Sequence, residues 1–157
     1  MSGVIVTGAA SGIGRACAEV LVGDGRPVAL WDQNPAVVEV AAELGMTGVA
    51  LDVTDEAAVA DAIEASAAAL DGVDGFVHAA GVIGVEPLGA LTATLWDRVV
   101  DINLRAHALL VQALLPHLRE ASGAAVVGIA SIEGLVGNAM IPAYCASKAG
   151  MLGLTQK

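Results

Sequence analysis

The chain has 157 residues, which predicts one domain over residues 1–157. Its net charge of −10 argues against a nucleic-acid partner, because binding a phosphate backbone requires basic patches. No apolar run reaches the ~18 residues of a membrane span, and Met1 to Gly3 lead into a predicted strand without a basic signal region. We therefore expect a cytoplasmic protein without a membrane partner.

The apolar residues are mostly small. Hydrophobic residues make up 56% of the chain but aromatic residues only 3%, so Ala, Val and Leu should build the core. Two cysteines, Cys17 and Cys145, are too few and too far apart for a disulfide framework or a metal site. We expect both to pack as small apolar residues and predict no bound metal.

The N-terminal stretch GVIVTGAASGIGRACAEVL predicts a strand, a glycine-rich loop and a helix. Gly8 would permit a tight turn, Gly12 would let a pyrophosphate approach the N–H groups of a helix N-terminus, and Gly14 would let helix and strand pack closely. Ser11 and Ile13 complete the predicted phosphate-binding loop. Taken alone, this loop is also compatible with an ordinary tight connection between strand and helix.

The second predicted strand lies in RPVALWDQN and ends at Asp32. Asp32 follows the glycine loop by close to the ~20 residues that separate such a loop from an acid binding the adenosine ribose. A carboxylate there would repel a 2′-phosphate. The alternative is a loop or capping aspartate without a ligand.

Two further strands are predicted before residue 92. The third strand, GVALDV, ends in the pair Asp52-Val53, where Asp52 or Thr54 could instead cap the following Ala-rich helix. The fourth, GFVHAAGVIG, holds His78, which we expect to be a buried, hydrogen-bonded histidine. Gly81 follows it, where the backbone could approach a ribose.

Residues 92–120 show a helical pattern, with Trp96 and Val99 among the apolar positions. Asn103 is unfavourable inside such a helix, which suggests either a functional residue or a kink. Pro116 predicts a distortion or a helix boundary. The run AAVVGIA then predicts a fifth strand that brings Ser131 to its C-terminal end, where open α/β sheets bind ligands.

Tyr144 and Lys148 lie at positions i and i+4 of a predicted helix, so both side chains should share one face. A unit charge about 4 Å from the phenol, at an effective dielectric of about 20, is worth about 4 kcal/mol. That is enough to stabilise a phenolate and make Tyr144 a general acid/base near neutral pH. Ser131 could hydrogen-bond the same reacting oxygen.

At these residues the chain resembles the short-chain dehydrogenase/reductase family. The resemblance rests on T-G-x-x-x-G-x-G from Thr7 to Gly14, on Ser131, and on Y-x-A-S-K from Tyr144 to Lys148. It implies that Tyr144 carries the proton and Ser131 steadies the carbonyl oxygen. Lys148 would stabilise the phenolate and hold the nicotinamide ribose, while Asn103 would keep a relay water.

The resemblance also assigns a cofactor. Asp52 and Val53 would contact adenine, and Ala80 and Gly81 retain the last two residues of the family's N-N-A-G motif. Family members that use NADP usually carry a basic residue where this chain has Ser11 or Gln33. NAD is therefore expected in preference to NADP, with a secondary alcohol or ketone as substrate and a homo-oligomer, dimer or tetramer, as the assembly.

The predicted architecture is a Rossmann-like doubly wound parallel sheet of about five strands, since Val- and Ala-rich strands alternate with helices. Family members continue past Y-x-A-S-K, so we expect the C-terminal part of the fold to be missing here and the strand AAVVGIA to form an edge. A catalytically incompetent nucleotide-binding fragment is the competing interpretation. An epimerase or dehydratase of the extended family is a third, although its glycine loop usually reads G-x-x-G-x-x-G.

Overall fold

The computed structural model describes residues 2–155. They form a parallel sheet of five strands in the order β3-β2-β1-β4-β5. The strands are β1 (Gly3–Thr7), β2 (Val28–Asp32), β3 (Thr47–Ala50), β4 (Val73–His78) and β5 (Ala125–Gly128). The helices are α1 (Gly12–Gly23), α2 (Val37–Glu43), α3 (Glu56–Ala69), α4 (Ala93–Val100), α5 (Ala106–Glu120), α6 (Glu133–Val136) and α7 (Pro142–Thr155). The predicted α/β class is confirmed.

The sheet is covered on both faces because successive strand residues point to opposite sides. In β1, Val4 and Val6 pack in one apolar cluster with residues of α1 and α2. Ile5 packs in a second cluster with residues of α3 and α5. Trp31 of β2 also lies in this second cluster, where its indole N–H donates to Ser66 Oγ at 3.1 Å. The prediction of a doubly wound sheet therefore holds.

The direction of winding reverses between β1 and β4. From β1 the chain adds β2 and then β3 on one side, and β4 and β5 extend the sheet on the other. Ligands of open α/β sheets bind in the crevice beyond the carboxyl ends of the strands at such a reversal. The loops after Thr7 and His78 meet there, because a Cβ on Gly8 would lie 2.8 Å from Ala80 N.

The helical region that begins at Ala93 is continuous to Glu120, with a π-helical turn at Asp101–Arg105. Pro116 lies inside α5, so the alternative of a helix boundary there was wrong. Trp96, predicted on the apolar face, is 39% exposed. By length and composition this run could cross a membrane, but core helices of globular proteins meet the same criterion, and its buried residues pack against the sheet.

The fifth strand is shorter than its apolar run. β5 ends at Gly128, so Ser131 lies in the loop beyond the strand and not at its last position. β5 pairs with β4 and is the outer strand of the described sheet, as expected. Val126 and Val127 are 37% and 48% exposed there.

Candidate active site

The glycine loop between β1 and α1 depends on the absence of side chains. Gly8 and Gly12 have φ angles of +67° and +55°, in the region that disfavours other residues. A Cβ on Gly14 would lie 2.2 Å from Gly8 O, so the start of α1 packs directly on the loop backbone. Around Gly12 no atom lies within 4 Å of the position of an added Cβ. The loop is therefore open toward the cleft, where a phosphate could approach the N-terminus of α1.

A cavity of about 350 Å³ lies over the carboxyl ends of β1, β2 and β4. It unites all the residues predicted to bind the cofactor, except the two on α7. The predicted residues that line the cavity are Gly8, Ser11, Gly12, Ile13, Gly14, Asp32, Asp52, Val53, Ala80 and Gly81. Gln33, Leu51, Ala79, Val82 and Ile102 complete the lining. Among these residues two are carboxylates and none is lysine or arginine.

Asp32 closes β2 with both carboxylate oxygens held by backbone groups. Oδ2 accepts from Ala10 N at 3.0 Å, and Oδ1 accepts from Asn34 N at 2.9 Å. The first contact fixes the carboxylate against the glycine loop. Asp32 thus lines the cavity and also positions the glycine loop. It does not cap α2, because the residue at the N-cap of that helix is Ala36.

Asp52 lines the same cavity as Asp32. Its Oδ1 accepts from the backbone N–H and the hydroxyl of Thr54, at 2.9 and 2.8 Å. The side chain that caps α3 belongs to Asp55, which accepts from Ala57 N and Ala58 N. The alternative that Asp52 or Thr54 caps this helix was therefore wrong.

Asn103 sits fully buried in the π-helical turn. Its Oδ1 accepts from Val82 N at 2.8 Å, and its Nδ2 donates to Val82 O at 2.9 Å and to Ser147 Oγ at 3.0 Å. One side chain thereby ties the loop after β4 to α7. The sequence analysis missed Ser147, although it directly precedes Lys148 in the Y-x-A-S-K motif.

Tyr144 and Lys148 lie on one face of α7, as the spacing predicted. Lys148 Nζ is 5.6 Å from the centre of the Tyr144 ring and donates to Ile129 O at 2.7 Å. The lysine is only 4% exposed, and this burial lowers its pKa from the usual value. A Cβ on Gly81 would lie 3.7 Å from Nζ, so the lysine reaches the end of the cavity at Gly81.

Ser131 is half-buried at the start of the loop that leads into α6. Its Oγ accepts from Glu133 N at 3.2 Å. The neighbouring Gly134 packs on α7, since a Cβ there would lie 2.8 Å from the carbonyl carbon of Lys148. Backbone contact between α6 and α7 thus brings Ser131 into the same region as Tyr144. Among the described residues no hydrogen bond joins the two hydroxyls.

Two buried histidines lie beneath the site. His78 Nδ1 is 3.1 Å from Thr7 Oγ1 and Nε2 is 3.3 Å from Ile102 O, which confirms the expected hydrogen-bonded histidine. Burial, followed by the charges of His107 and Lys148, lowers the pKa of His78 to about 3. His107 is also fully buried, and the centre of its ring lies 5.1 Å from the centre of the His78 ring. Burial, followed by the charge of Lys148, lowers the pKa of His107. Sequence reasoning missed His107, because nothing in its local pattern distinguishes it.

The doubly wound sheet, the glycine loop and the cavity at the winding reversal form the arrangement that is typical of dinucleotide-binding α/β proteins. The chain matches the family described as short chain dehydrogenase over residues 2–157. It belongs to that family, as its motifs predicted.

Similar proteins carry dehydrogenase names. The chain is 42% identical over 155 residues to 2-dehydro-3-deoxy-L-rhamnonate dehydrogenase (NAD(+)) of a Sphingomonas species, covering 97% of this chain and 62% of that protein. It is 39% identical over 158 residues to D-threitol dehydrogenase of Mycolicibacterium smegmatis, covering 97% of this chain and 61% of the relative. The chain therefore spans less than two thirds of the length of these relatives.

Solved structures agree with the fold. A short chain dehydrogenase from Mycobacterium smegmatis superposes with a TM-score of 0.93 at 29% identity, over 99% of this chain and 68% of that one. A second, titled as a putative short-chain alcohol dehydrogenase from Sinorhizobium meliloti, gives 0.91 at 34% identity, over 99% and 65%. The five-stranded arrangement thus matches part of the fold of these structures.

Proposed function

We propose that this chain forms the cofactor-binding and proton-transfer part of an oxidoreductase that interconverts a secondary alcohol and a ketone. The observation that carries this proposal is the position of Lys148. The lysine is buried over the ring of Tyr144 and also lies beside Gly81, at the end of the nucleotide cavity. A proton-transferring phenol is therefore adjacent to the space that suits a dinucleotide.

The glycine loop, Asp32, Asp52 and Gly81 would hold the cofactor. The Gly8–Gly14 contact and the open position at Gly12 provide a cradle that side chains would fill. A nicotinamide cofactor supplies the redox chemistry when bound, by exchanging a hydride with the carbinol carbon. Ile13, Val53 and Ala80, which line the same cavity, would contact its apolar surfaces.

The chain's own residues would move the proton. In alcohol oxidation, Tyr144 takes the hydroxyl proton as the carbon loses its hydride; in the reverse direction it returns that proton to the ketone oxygen. Lys148 Nζ, 5.6 Å from the centre of the Tyr144 ring, would place a positive charge beside the phenol that exchanges this proton. Ser131 would donate a hydrogen bond to the substrate oxygen. Asn103 would position the loop at Val82 and, by resemblance, keep a water that links to Lys148.

We also propose that NAD is preferred over NADP. Asp32 is fixed against the glycine loop, and the described cavity lining contains no basic side chain that could bind a 2′-phosphate. A carboxylate beside that phosphate would be repulsive. The relative named as an NAD(+) dehydrogenase supports this choice.

The substrate would be a small alcohol, as the names of the similar proteins suggest. The direct experiment is to incubate the purified protein with NAD and a panel of secondary alcohols and to follow NADH absorbance. We expect NADH to form with at least one alcohol. Tight NAD binding without turnover of any alcohol would instead support the alternative of an inert nucleotide-binding fragment.

A further inference from the structure

One buried histidine beside the cavity has no part in the proton transfer proposed above. His78 is the last residue of β4 and is fully buried. In the sheet it pairs with Thr7, the last residue of β1, and the glycine loop begins directly after Thr7. Buried polar groups are unfavourable unless they are hydrogen-bonded, so the partners of His78 indicate what its ring holds in place.

These partners fix the tautomer of the ring. Burial lowers the pKa of His78 to about 3, so the ring is neutral near pH 7. Ile102 O can only accept a hydrogen bond, and Nε2, 3.3 Å away, is therefore the nitrogen that carries the proton. Nδ1 is then an acceptor, and the Thr7 hydroxyl donates to it at 3.1 Å. Thr7 Oγ1 in turn accepts from Ala80 N at 3.2 Å, so the four groups form one hydrogen-bond chain with a fixed direction.

Both ends of this hydrogen-bond chain reach the proposed cofactor site. Ala80 and Ile102 line the cavity over the sheet. Ala80 precedes Gly81, where an added Cβ would lie 3.7 Å from Lys148 Nζ. Ile102 precedes Asn103, whose side chain also hydrogen-bonds to the loop after β4. One imidazole therefore links the end of β1, the loop after β4 and the π-helical turn.

We propose that His78 is a positioning residue for the cofactor, because its ring holds the loop at Ala80 and Gly81 in the arrangement that receives the ribose. This inference rests on the proposed function and deepens it. Without these hydrogen bonds the free protein also populates other arrangements of the loop, and the apparent affinity falls with the binding-competent fraction. Since His78 is not one of the groups that transfer the proton, the rate with bound cofactor should change little.

The test measures NADH affinity by fluorescence. His78→Phe keeps a planar ring next to Phe76 and removes both hydrogen bonds of the imidazole. We expect the affinity to fall by about 5- to 100-fold, the range for two neutral hydrogen bonds. His107→Phe is the matched control, because the nitrogens of this neighbouring ring have no hydrogen-bond partner among the described residues. It should change the affinity by less than about twofold, since no hydrogen bond is lost.

Two further variants test the direction of the hydrogen-bond chain. Thr7→Val removes the hydroxyl and should weaken NADH binding by about three- to tenfold. Combined with His78→Phe, it should weaken binding by less than the product of the two single losses, because both substitutions break the same bond. The losses of Thr7→Val and His107→Phe should instead multiply. His78→Asn can place a polar atom near the position of Nδ1 and should recover part of the affinity.

Kinetics separate positioning from proton transfer. With NAD and an alcohol, His78→Phe should raise KM for NAD, whereas kcat at saturating NAD should stay within about threefold of the wild type.

Wild-type NADH affinity in a folded His78→Phe, or a loss confined to kcat, overturns the inference. If that variant does not fold, Thr7→Val decides, and an unchanged affinity in it overturns the inference. A wild type that binds NADH but oxidises no alcohol overturns the proposed function alone, and the affinities still decide the role of His78. A wild type that binds no NADH overturns both.

Discussion

Lys148 shows how strongly the proposed chemistry depends on single side chains. Its amine is buried, and that burial lowers its pKa. The amine donates to Ile129 O and lies 5.6 Å from the centre of the Tyr144 ring. A buried charge needs such compensation. Asn103 is a second such side chain. Its three hydrogen bonds hold the loop at Val82 against Ser147, the residue before Lys148.

Cofactor choice should change with the charge of Asp32. Asp32→Asn keeps one acceptor oxygen, which can serve either Ala10 N–H or Asn34 N–H, and removes the repulsion of a 2′-phosphate. We expect the preference for NAD over NADP to fall by at least about tenfold, equivalent to ~1.4 kcal/mol. Calorimetric titration of both cofactors measures this ratio.

Asp52→Asn is the matched control, since it removes the same charge from another part of the cavity rim. It should change the ratio by less than about threefold, because Asp52 is proposed to contact adenine, away from the 2′-position, and a partly screened charge loses its effect with distance. Equal effects of the two substitutions would mean that general cavity charge, and not Asp32, sets the preference.

Secondary-structure elements are positioned here by close backbone contact. α1 rests on the glycine loop through Gly14, α6 rests on α7 through Gly134, and the π-helical turn directs Asn103 inward. The glycine spacing and the unusual helical asparagine made the loop and Asn103 predictable from sequence. The contact between α6 and α7 was not predictable, because a single glycine such as Gly134 does not identify the helix against which it packs.

Packing at the start of α1 gives a direct prediction. Gly14→Ala places a methyl group 2.2 Å from Gly8 O, so the helix must shift away from the loop. We expect a loss of about 1–3 kcal/mol in the free energy of unfolding, together with weaker NADH binding. Urea denaturation and fluorescence titration measure the two effects.

Gly23→Ala tests the same substitution at the other end of α1. No atom lies within 4 Å of its added Cβ, and alanine is the better helix former. This variant should be neutral or more stable by up to about 1 kcal/mol. Comparable destabilisation in both variants would exclude the packing explanation.

The buried histidines of β4 and α5, His78 and His107, should make the fold sensitive to acid. In the unfolded chain His78 binds a proton below about pH 6.5, whereas in the folded protein its pKa is about 3. The unfolded state therefore binds more protons between these values, and stability, complete above about pH 6.5, falls as the pH decreases. The expected slope from His78 in this window is about 1.4 kcal/mol per pH unit.

Urea denaturation at a series of pH values measures this slope. His107→Phe removes one titrating ring while keeping a planar side chain beside Phe76. The variant should lose less stability in acid than the wild type. A wild-type free energy of unfolding that stays constant from pH 7 to about pH 4 would contradict the account.

At the scale of the whole molecule, the sequence predicted the class of fold and the family, because binary patterning and the glycine, tyrosine and lysine motifs agree with one another. The sequence pattern predicted Ser131 at the end of the fifth strand, whereas β5 ends at Gly128. The prediction differs because an apolar run does not show where backbone pairing ends. His107 could not be predicted, since its position beside His78 depends on which elements meet in space.

The exposed edge gives a prediction for the polypeptide of residues 1–157. β5 is the outer strand of the described sheet, and its Val126 and Val127 are partly exposed. Unpaired edge groups with apolar side chains favour association. We expect self-association or aggregation at micromolar concentration in sedimentation experiments. A monodisperse 15.6 kDa monomer with a cooperative melting transition would contradict this expectation.

The central claim is that Tyr144 transfers the proton beside a separately formed cofactor cavity. The most direct measurement compares the wild type with Tyr144→Phe, which removes only the hydroxyl, for NADH-linked turnover and for NADH binding. We predict a fall in kcat of about 10²- to 10⁴-fold or more, with cofactor affinity nearly unchanged. Full turnover by the phenylalanine variant would contradict the claim.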